Sequence, residues 1–183
     1  MNAVEINDLY KSYEYGKIKA LNGINLTIAD GEFVSIIGPS GSGKSTMMNI
    51  VGGMDFLTDG TLTIEGRDFS HPSDKELTEF RRKYVGFIFQ SYNLMPNLTA
   101  IENVAMPLTF QGVPKAIREK KARRMLKLVG LGKYMDHRPG QMSGGQQQRV
   151  GIARALVVDP EIVFADEPTG NLDTKSSIEI MNL

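Results

Sequence analysis

The chain has 183 residues, a formal net charge of zero and no cysteine. This length suits one α/β domain with a substantial core, and the charge balance gives no electrostatic case for nucleic-acid binding. The lack of cysteine excludes disulfides and thiolate metal sites and suits a reducing cytosol. No apolar run approaches the ~20 residues of a membrane-spanning helix, so we expect a soluble chain whose membrane role, if any, comes through a partner.

The N-terminal third predicts strands followed by a short helix. Apolar positions alternate over 4–10 and 18–28, which predicts an antiparallel hairpin, and 61–65 adds another short strand. The apolar, β-branched and aromatic run 32–37 predicts a buried strand. An amphipathic helix is expected over 45–51, ended by a pair of glycines.

A glycine-rich loop lies between that predicted strand and that helix. Gly38 to Ser45 fits the pattern G-x-x-x-x-G-K-[ST], in which backbone N–H groups and the helix N-terminus bind phosphate oxygens. An ordinary glycine-rich turn would not place Lys44 and Ser45 in register with a helix start. We expect Lys44 to contact the β- and γ-phosphates and Ser45 to ligate Mg²⁺. The candidate nucleotide ligands here are Gly38, Pro39, Ser40, Gly41, Ser42, Gly43, Lys44, Ser45 and Thr46.

The rest of the chain alternates helices and strands, which predicts a parallel sheet. Two Ser/Thr-x-x-Glu capping boxes, at Ser73 and Thr99, mark helix starts. Between them, 84–89 predicts a buried strand. Further predicted features are a helix start at Pro114, a C-cap at Gly130, a helix capped by Ser143 that runs to about Val157, a strand over 161–166 and a helix over 174–183.

Acidic and amide side chains follow the last two predicted strands. Asp166 and Glu167 end an apolar strand at the edge where open α/β sheets bind ligands. Asp166 could hold Mg²⁺, and Glu167 could polarise a water that attacks the γ-phosphate. Gln90 ends the preceding strand and could reach Mg²⁺ or that water. Taken alone, a glutamine at a strand end is more often an ordinary polar residue, and an acidic strand end is often only a solvated turn.

These motifs together resemble the ABC-type ATPases over essentially the whole chain. Gly38–Ser45 resembles Walker A, and Ile162–Glu167 resembles Walker B with its adjacent glutamate. Met142–Gln146 and the helix after it are similar to the ABC signature, although Ser143 and Gln146 are also a capping box. Gln90 matches the Q-loop glutamine. Tyr13 matches the adenine-stacking aromatic, with a plain strand residue as its alternative, and Asp173 matches the D-loop.

The resemblance implies a P-loop NTPase fold of α/β class. It would have a RecA-like parallel-sheet core at 1–90 and 150–183, with an N-terminal antiparallel β subdomain, and an inserted α-helical subdomain at 91–149. It also implies ATP and Mg²⁺ as ligands, with Glu167, Gln90 and Lys44 in catalysis and Ser45, Gln90 and Asp166 on the metal. Two chains would enclose ATP between Walker A of one and Ser143, Gly144, Gly145 and Gln146 of the other.

Finer similarity over 89–104 and 168–173 resembles the subgroup that serves lipoprotein release and macrolide or peptide export. That subgroup implies an integral-membrane permease partner and a cytoplasmic location on the inner face of the membrane, with no nucleic-acid partner. Two alternatives stay open, namely a regulatory ATPase of the cell-division type and, less favoured, a DNA-repair ATPase. The basic run 115–127 reads as a solvated helix face, or as a contact with acidic partners or lipid.

One feature of the family is missing from the sequence. The resemblance implies a further core strand and a switch histidine after Asp173, but both histidines, His71 and His137, precede it. We therefore expect a C-terminally truncated chain that binds nucleotide weakly and hydrolyses it poorly, with a sheet edge left exposed.

Overall fold

The N-terminal hairpin of the computed structural model, which describes residues 2–181, is antiparallel as predicted. Strand β1 (Asn2–Tyr13) pairs with β2 (Ile18–Ala29), and β1 also pairs with β3 (Asp59–Ile64). A short β4 (Arg67–Asp68) completes a four-stranded sheet in the order β2-β1-β3-β4. The inward positions of β1 carry buried aliphatic side chains, so the alternating pattern selects the face that packs on the core.

Two helices accompany this sheet, and the chain divides after Arg81 into two compact units. Helix α1 (Lys44–Val51) ends at Gly52 as predicted. Helix α2 (Asp74–Tyr84) begins at the predicted capping box, where the Glu76 amide donates to Ser73 Oγ at 3.3 Å. The hairpin and these two helices therefore confirm the predictions made for their parts of the sequence.

The predicted strand at 32–37 is wrong. These residues form no strand, and Phe33 and Ile37 are 87% and 91% exposed. A strand needs the N–H and C=O groups of a neighbouring strand to complete its hydrogen bonds. No strand in the described part of the chain pairs with this segment, so β-propensity alone does not make it one.

The second unit combines a parallel strand pair with helices. Strand β5 (Val85–Ile88) pairs in parallel with β6 (Ile162–Ala165), in agreement with the two strands predicted there. Between them lie α3 (Ala100–Phe110), α4 (Lys115–Leu128) and α5 (Gly144–Leu156), and α6 (Thr174–Met181) follows β6. The predicted end of this last helix, residues 182–183, lies outside the described residues.

The helix boundaries follow the predicted caps. The Thr99 and Ser143 capping boxes are both formed, Pro114 is the N-cap of α4, and Gly130 takes a left-handed φ of 78° just after that helix. The core of this unit gathers aliphatic residues of the helices, including Val104, Leu108, Ala122, Leu126 and Val150. The limits of the proposed helical subdomain, 91–149, remain a prediction.

Candidate active site

The phosphate loop, Gly38–Ser45, leads directly into α1. Gly43 precedes the helix with a φ of 92°, and a Cβ placed there would lie 2.6 Å from the Ala20 carbonyl oxygen and 2.7 Å from a methyl carbon of Leu21. Only glycine fits this left-handed and crowded position. The Lys44 ammonium donates to the carbonyl oxygens of Gly38 and Pro39, both at 2.8 Å. The lysine is thus held over the loop whose amides would face phosphate.

A second cluster surrounds Tyr13 at the end of β1. The Tyr13 hydroxyl donates to Asp55 Oδ2 at 2.7 Å, and the Lys11 ammonium donates to Asp55 Oδ1 at 2.7 Å and to the Phe56 carbonyl at 2.6 Å. The same ammonium lies 4.7 Å from the centroid of the Tyr13 ring, which is 38% exposed. Tyr13 is therefore held by its hydroxyl while part of its ring faces solvent.

The pKa values in this cluster are shifted by its contacts. Burial raises the pKa of Tyr13, and hydrogen bonding to Asp55 and the negative charge of that carboxylate add to the increase, while a hydrogen bond with Thr46 opposes it. Burial pushes the pKa of Asp55 upward, but hydrogen bonds from Lys11, Tyr13 and the Phe56 amide outweigh it, and the net pKa is lowered.

Sequence reasoning did not find Lys11 and Asp55. The available signal was the position of Lys11, which continues the inward-facing series of β1 after Leu9 and is itself buried. A lysine at an inward position of an amphipathic strand needs a buried partner, but the sequence does not say which carboxylate supplies it.

The second unit places Gln90 and Glu167 side by side. Ile88, the last residue of β5, is in register with Ala165, the last residue of β6, and each functional residue lies two positions beyond the end of its strand. The Gln90 amide nitrogen donates to Glu167 Oε2 at 3.0 Å, and the Asp166 backbone amide donates to the Ile88 carbonyl at 3.0 Å. The parallel register therefore brings these two predicted site residues into contact.

Gly170 lies against this pair. A Cβ at Gly170 would come within 2.7 Å of the Gln90 amide nitrogen and 3.2 Å of Glu167 Oε2. The Gly170 amide also donates to the Glu167 carbonyl at 2.9 Å, and Glu167 has a left-handed φ of 44°. A glycine in this turn gives the amide and the carboxylate room to meet, a requirement that the motif alone did not reveal.

The signature residues Ser143–Gln146 form the N-terminus of α5. Ser143 Oγ accepts from the Gln146 amide at 3.3 Å, and Gln146 Oε1 accepts from the Ser143 amide at 2.9 Å. A Cβ at Gly144 would lie 2.9 Å from the Tyr92 hydroxyl, and one at Gly145 would lie 3.0 Å from Ser176 Oγ. The glycines thus allow other segments to pack closely on a capped helix N-terminus.

Asp173 caps the next helix. Its Oδ1 accepts from the Ser176 amide at 3.0 Å and its Oδ2 accepts from the Ser176 hydroxyl at 2.7 Å. Hydrogen bonds from Ser176, first from its side chain and then from its backbone, lower the pKa of Asp173. The predicted nucleotide contact of Asp173 remains a prediction, beside this observed capping role.

The predicted site residues thus fall into two sets. Tyr13 and the residues from Gly38 to Thr46 belong to the first unit, whereas Gln90, Ser143–Gln146 and the residues from Asp166 to Asp173 belong to the second.

The predicted metal ligands Ser45, Gln90 and Asp166 offer the oxygen atoms of a hydroxyl, an amide and a carboxylate. Mg²⁺ is a hard cation and prefers such oxygen donors. Within residues 2–181, no three His, Cys, Asp or Glu side chains are grouped as a metal site.

Comparison with known proteins identifies the family. The ABC transporter family model matches residues 21–170. The chain belongs to the ABC transporter family. An uncharacterized ABC transporter ATP-binding protein of Thermotoga maritima is 52% identical over 182 residues, which is 98% of this chain and 78% of that protein.

Two further ABC relatives extend the comparison. The macrolide export ATP-binding/permease protein MacB of Marinobacter nauticus is 50% identical over 98% of this chain, which spans 28% of that longer protein. The dimeric post-hydrolysis structure of the ATP-binding cassette MJ0796, bound to ADP and Pi, superposes with a TM-score of 0.89 at 48% identity, covering 98% of this chain and 80% of that one. The ABC ATPase fold, ATP binding and the ATPase class predicted from the sequence are confirmed.

None of the helices described between residues 2 and 181 is both long and apolar enough to cross a membrane. The individual roles assigned to site residues stay predictions.

Proposed function

We propose that this chain is the ATP-hydrolysing subunit of an ABC exporter. The observation that carries the proposal is the hydrogen bond between Gln90 and Glu167 at the ends of two neighbouring parallel strands. This contact supports a joint action of the Glu167 carboxylate and the Gln90 amide on one water molecule, because the two side chains meet at the ends of their strands.

In the proposed reaction, a water oxygen attacks the γ-phosphorus of ATP while Glu167 accepts a proton from that water. The bond between the γ-phosphorus and the β–γ bridging oxygen breaks, and ADP and phosphate leave. Lys44 and the amides of Gly38–Ser45 would stabilise charge on the phosphate oxygens, and Gln90 would orient the water. Tyr13 would stack on adenine, and Thr46 and Asp173 would add polar contacts to the nucleotide.

Magnesium fits the proposed donor set. Ser45, Gln90 and Asp166 would hold the ion, and their oxygen atoms suit a hard cation. When bound, Mg²⁺ would neutralise part of the negative charge on the phosphate oxygens. Substituting any of these three residues should therefore weaken Mg²⁺-dependent nucleotide binding.

We propose that two copies of the chain enclose ATP. The dimeric state of the MJ0796 cassette supports this arrangement, as does the presence in this chain of a second glycine-rich helix N-terminus at Ser143–Gln146, besides the phosphate loop. A helix N-terminus with glycines presents amide groups to an anion. In the dimer, the signature of one copy would contact the γ-phosphate held by the other.

The proposed output is transport through an integral-membrane permease, with the chain peripheral on the cytoplasmic face. The name of the macrolide export ATP-binding/permease relative supports this partner, and so does that of the probable syringafactin export protein SyfD of Pseudomonas syringae, which is 49% identical. These names favour export over the cell-division and DNA-repair alternatives.

The deciding experiment is the variant Glu167→Gln. We expect it to abolish ATP hydrolysis while ATP still binds and promotes dimers, because the amide cannot accept the proton of the attacking water. Phosphate release and size-exclusion chromatography with ATP and Mg²⁺ measure the two effects. The variant Glu161→Gln is the matched control, because Glu161 lies exposed just before β6. Undiminished hydrolysis in Glu167→Gln would reject the proposed base.

A further inference from the structure

Arg154, near the end of α5, is a buried cation whose hydrogen bonds within residues 2–181 all go to backbone carbonyl groups. The residue is 8% exposed. Its Nη1 donates to the Asn93 carbonyl oxygen at 2.6 Å and its Nη2 to the Tyr92 carbonyl oxygen at 2.8 Å. The ion pairs of the described residues do not include Arg154, and burial lowers the pKa of its guanidinium. A buried charge without a carboxylate is costly, so its two carbonyl contacts need an explanation.

The residues that Arg154 holds have an unusual backbone. Tyr92 and Asn93 have φ values of 59° and 48°, so two adjacent residues other than glycine are left-handed. Such residues are strained unless their surroundings hold them in place. The Asn93 amide donates to the Ser91 carbonyl at 2.6 Å. We call residues 90–93 the Gln90 turn, because the strained pair begins two positions after Gln90.

Two hydrogen bonds with Asn171 add to those that Arg154 makes with the Gln90 turn. Asn171 Nδ2 donates to the Gln90 carbonyl oxygen at 3.0 Å. The Tyr92 hydroxyl lies 3.5 Å from the Asn171 carbonyl oxygen, and it lies against the place where a Cβ of Gly144 would stand. The turn is therefore held by Arg154, near the end of α5, and by Asn171, in the segment after Glu167, and it lies close to the start of α5.

We propose that Arg154 is a positioning residue for Gln90, acting by holding the left-handed pair at Tyr92 and Asn93. The proposal rests on the proposed function, in which Gln90 orients the attacking water. The guanidinium is suited to this task because its rigid, planar fork presents Nη1 and Nη2 to two adjacent carbonyl groups in a fixed geometry, whereas a lysine ammonium is a single donor group on a flexible stem. Helix α5, which begins at the signature residues, and the Gln90 turn would then move together.

The test compares Arg154→Met and Arg154→Lys with Arg149→Met. Arg149 is a matched control, because it lies on the same helix and donates to the carbonyl of Val129, away from the Gln90 turn. We expect Arg154→Met to lower kcat for ATP about tenfold with KM changed less than about twofold. Arg154→Lys should lose less, because it keeps one carbonyl contact, and Arg149→Met should keep kcat. If Arg154→Met does not fold, Arg154→Lys decides the test.

A rescue variant separates positioning from general stability. Asn93→Gly removes the strain of the left-handed φ without the guanidinium. In the Arg154→Met background it should therefore recover at least about a third of the lost kcat. The absence of rescue, or an equal loss of kcat in Arg149→Met, would overturn the proposal.

Hydrogen–deuterium exchange gives a readout that does not depend on hydrolysis. Arg154→Met should speed exchange in the peptide 89–95 at least about tenfold, and Arg149→Met should leave that peptide unchanged. Unchanged exchange in Arg154→Met would overturn this inference alone. Hydrolysis that survives Glu167→Gln, with Arg154 unchanged, would instead overturn the proposed function. The two failures are therefore distinguishable.

Discussion

The amide nitrogen of Gln90 lies 3.0 Å from a carboxylate oxygen of Glu167, although 77 positions separate the two residues in the sequence. The contact exists because each residue follows its strand by two positions and the strands are parallel and in register. A carboxylate that accepts this hydrogen bond has a fixed direction, which a general base requires. The Gln90–Glu167 pair is therefore the geometric centre of the proposed chemistry in this unit.

Gly170→Ala should disturb that pair. The new Cβ would stand 2.7 Å from the Gln90 amide nitrogen, so the amide must move, and we expect kcat to fall about tenfold or more. Steady-state ATPase kinetics measure the effect. The control is Gly140→Ala, since a Cβ at Gly140 meets nothing within 4 Å. Equal activity in the two variants would show that the pair does not matter for turnover.

Ser143→Ala separates capping from catalysis. The substitution removes a cap, which should destabilise the protein by about 1 kcal/mol, and it removes a hydroxyl proposed to face the γ-phosphate. Ser73→Ala is the matched control, because Ser73 Oγ accepts from the Glu76 amide at the same 3.3 Å. We expect similar shifts in Tm but a loss of hydrolysis only in Ser143→Ala. A loss of hydrolysis in both variants would leave capping as the only role of Ser143.

Asp55→Asn should make the free energy of unfolding less sensitive to low pH. The folded pKa of Asp55 is lowered, so its carboxylate stabilises the fold fully above the unfolded pKa, about 3.9, and loses this effect as pH falls through the lower folded pKa. Wild type should therefore exceed the variant in unfolding free energy at pH 7, and the gap should narrow as the pH falls below about 4. Urea unfolding across this range measures the gap, with exposed Asp30→Asn as control. A gap that widens in acid would contradict the assignment.

Gly43→Ala should prevent the phosphate loop from closing. Its Cβ would meet the Ala20 carbonyl and Leu21 at a left-handed φ, whereas a Cβ at Gly41 has the same kind of φ, 79°, but meets nothing within 4 Å. We expect Gly43→Ala to lower Tm and ATP affinity more than Gly41→Ala, because it adds a steric clash to the backbone strain. Thermal unfolding and nucleotide titration would measure both. Identical effects of the two substitutions would mean that the left-handed φ alone, and not the steric clash, requires glycine at position 43.

The motifs proposed to bind phosphate could be predicted because their residues are close in sequence. The Gly38–Ser45 loop and the Ser143–Gln146 box each need only local hydrogen bonds and a helix start, which nearby residues determine. The conformation of residues 32–37, where a strand is predicted and none forms, could not be predicted correctly in the same way. The apolar composition of this segment indicates a high β-propensity, but a strand forms only where a neighbouring strand completes its hydrogen bonds.

The sequence by itself determined the helix starts, the phosphate loop, the signature cap and the order of the acidic and amide residues, since each depends on contacts within a few positions. Only the tertiary structure decided that Asp55 holds both Lys11 and Tyr13, that Gly170 makes room for Gln90 beside Glu167, and that Arg154 binds the carbonyls of Tyr92 and Asn93. The physical reason is that these contacts join residues that are from 42 positions to more than 70 positions apart in the sequence. Packing and burial determine which side chains become partners over such separations.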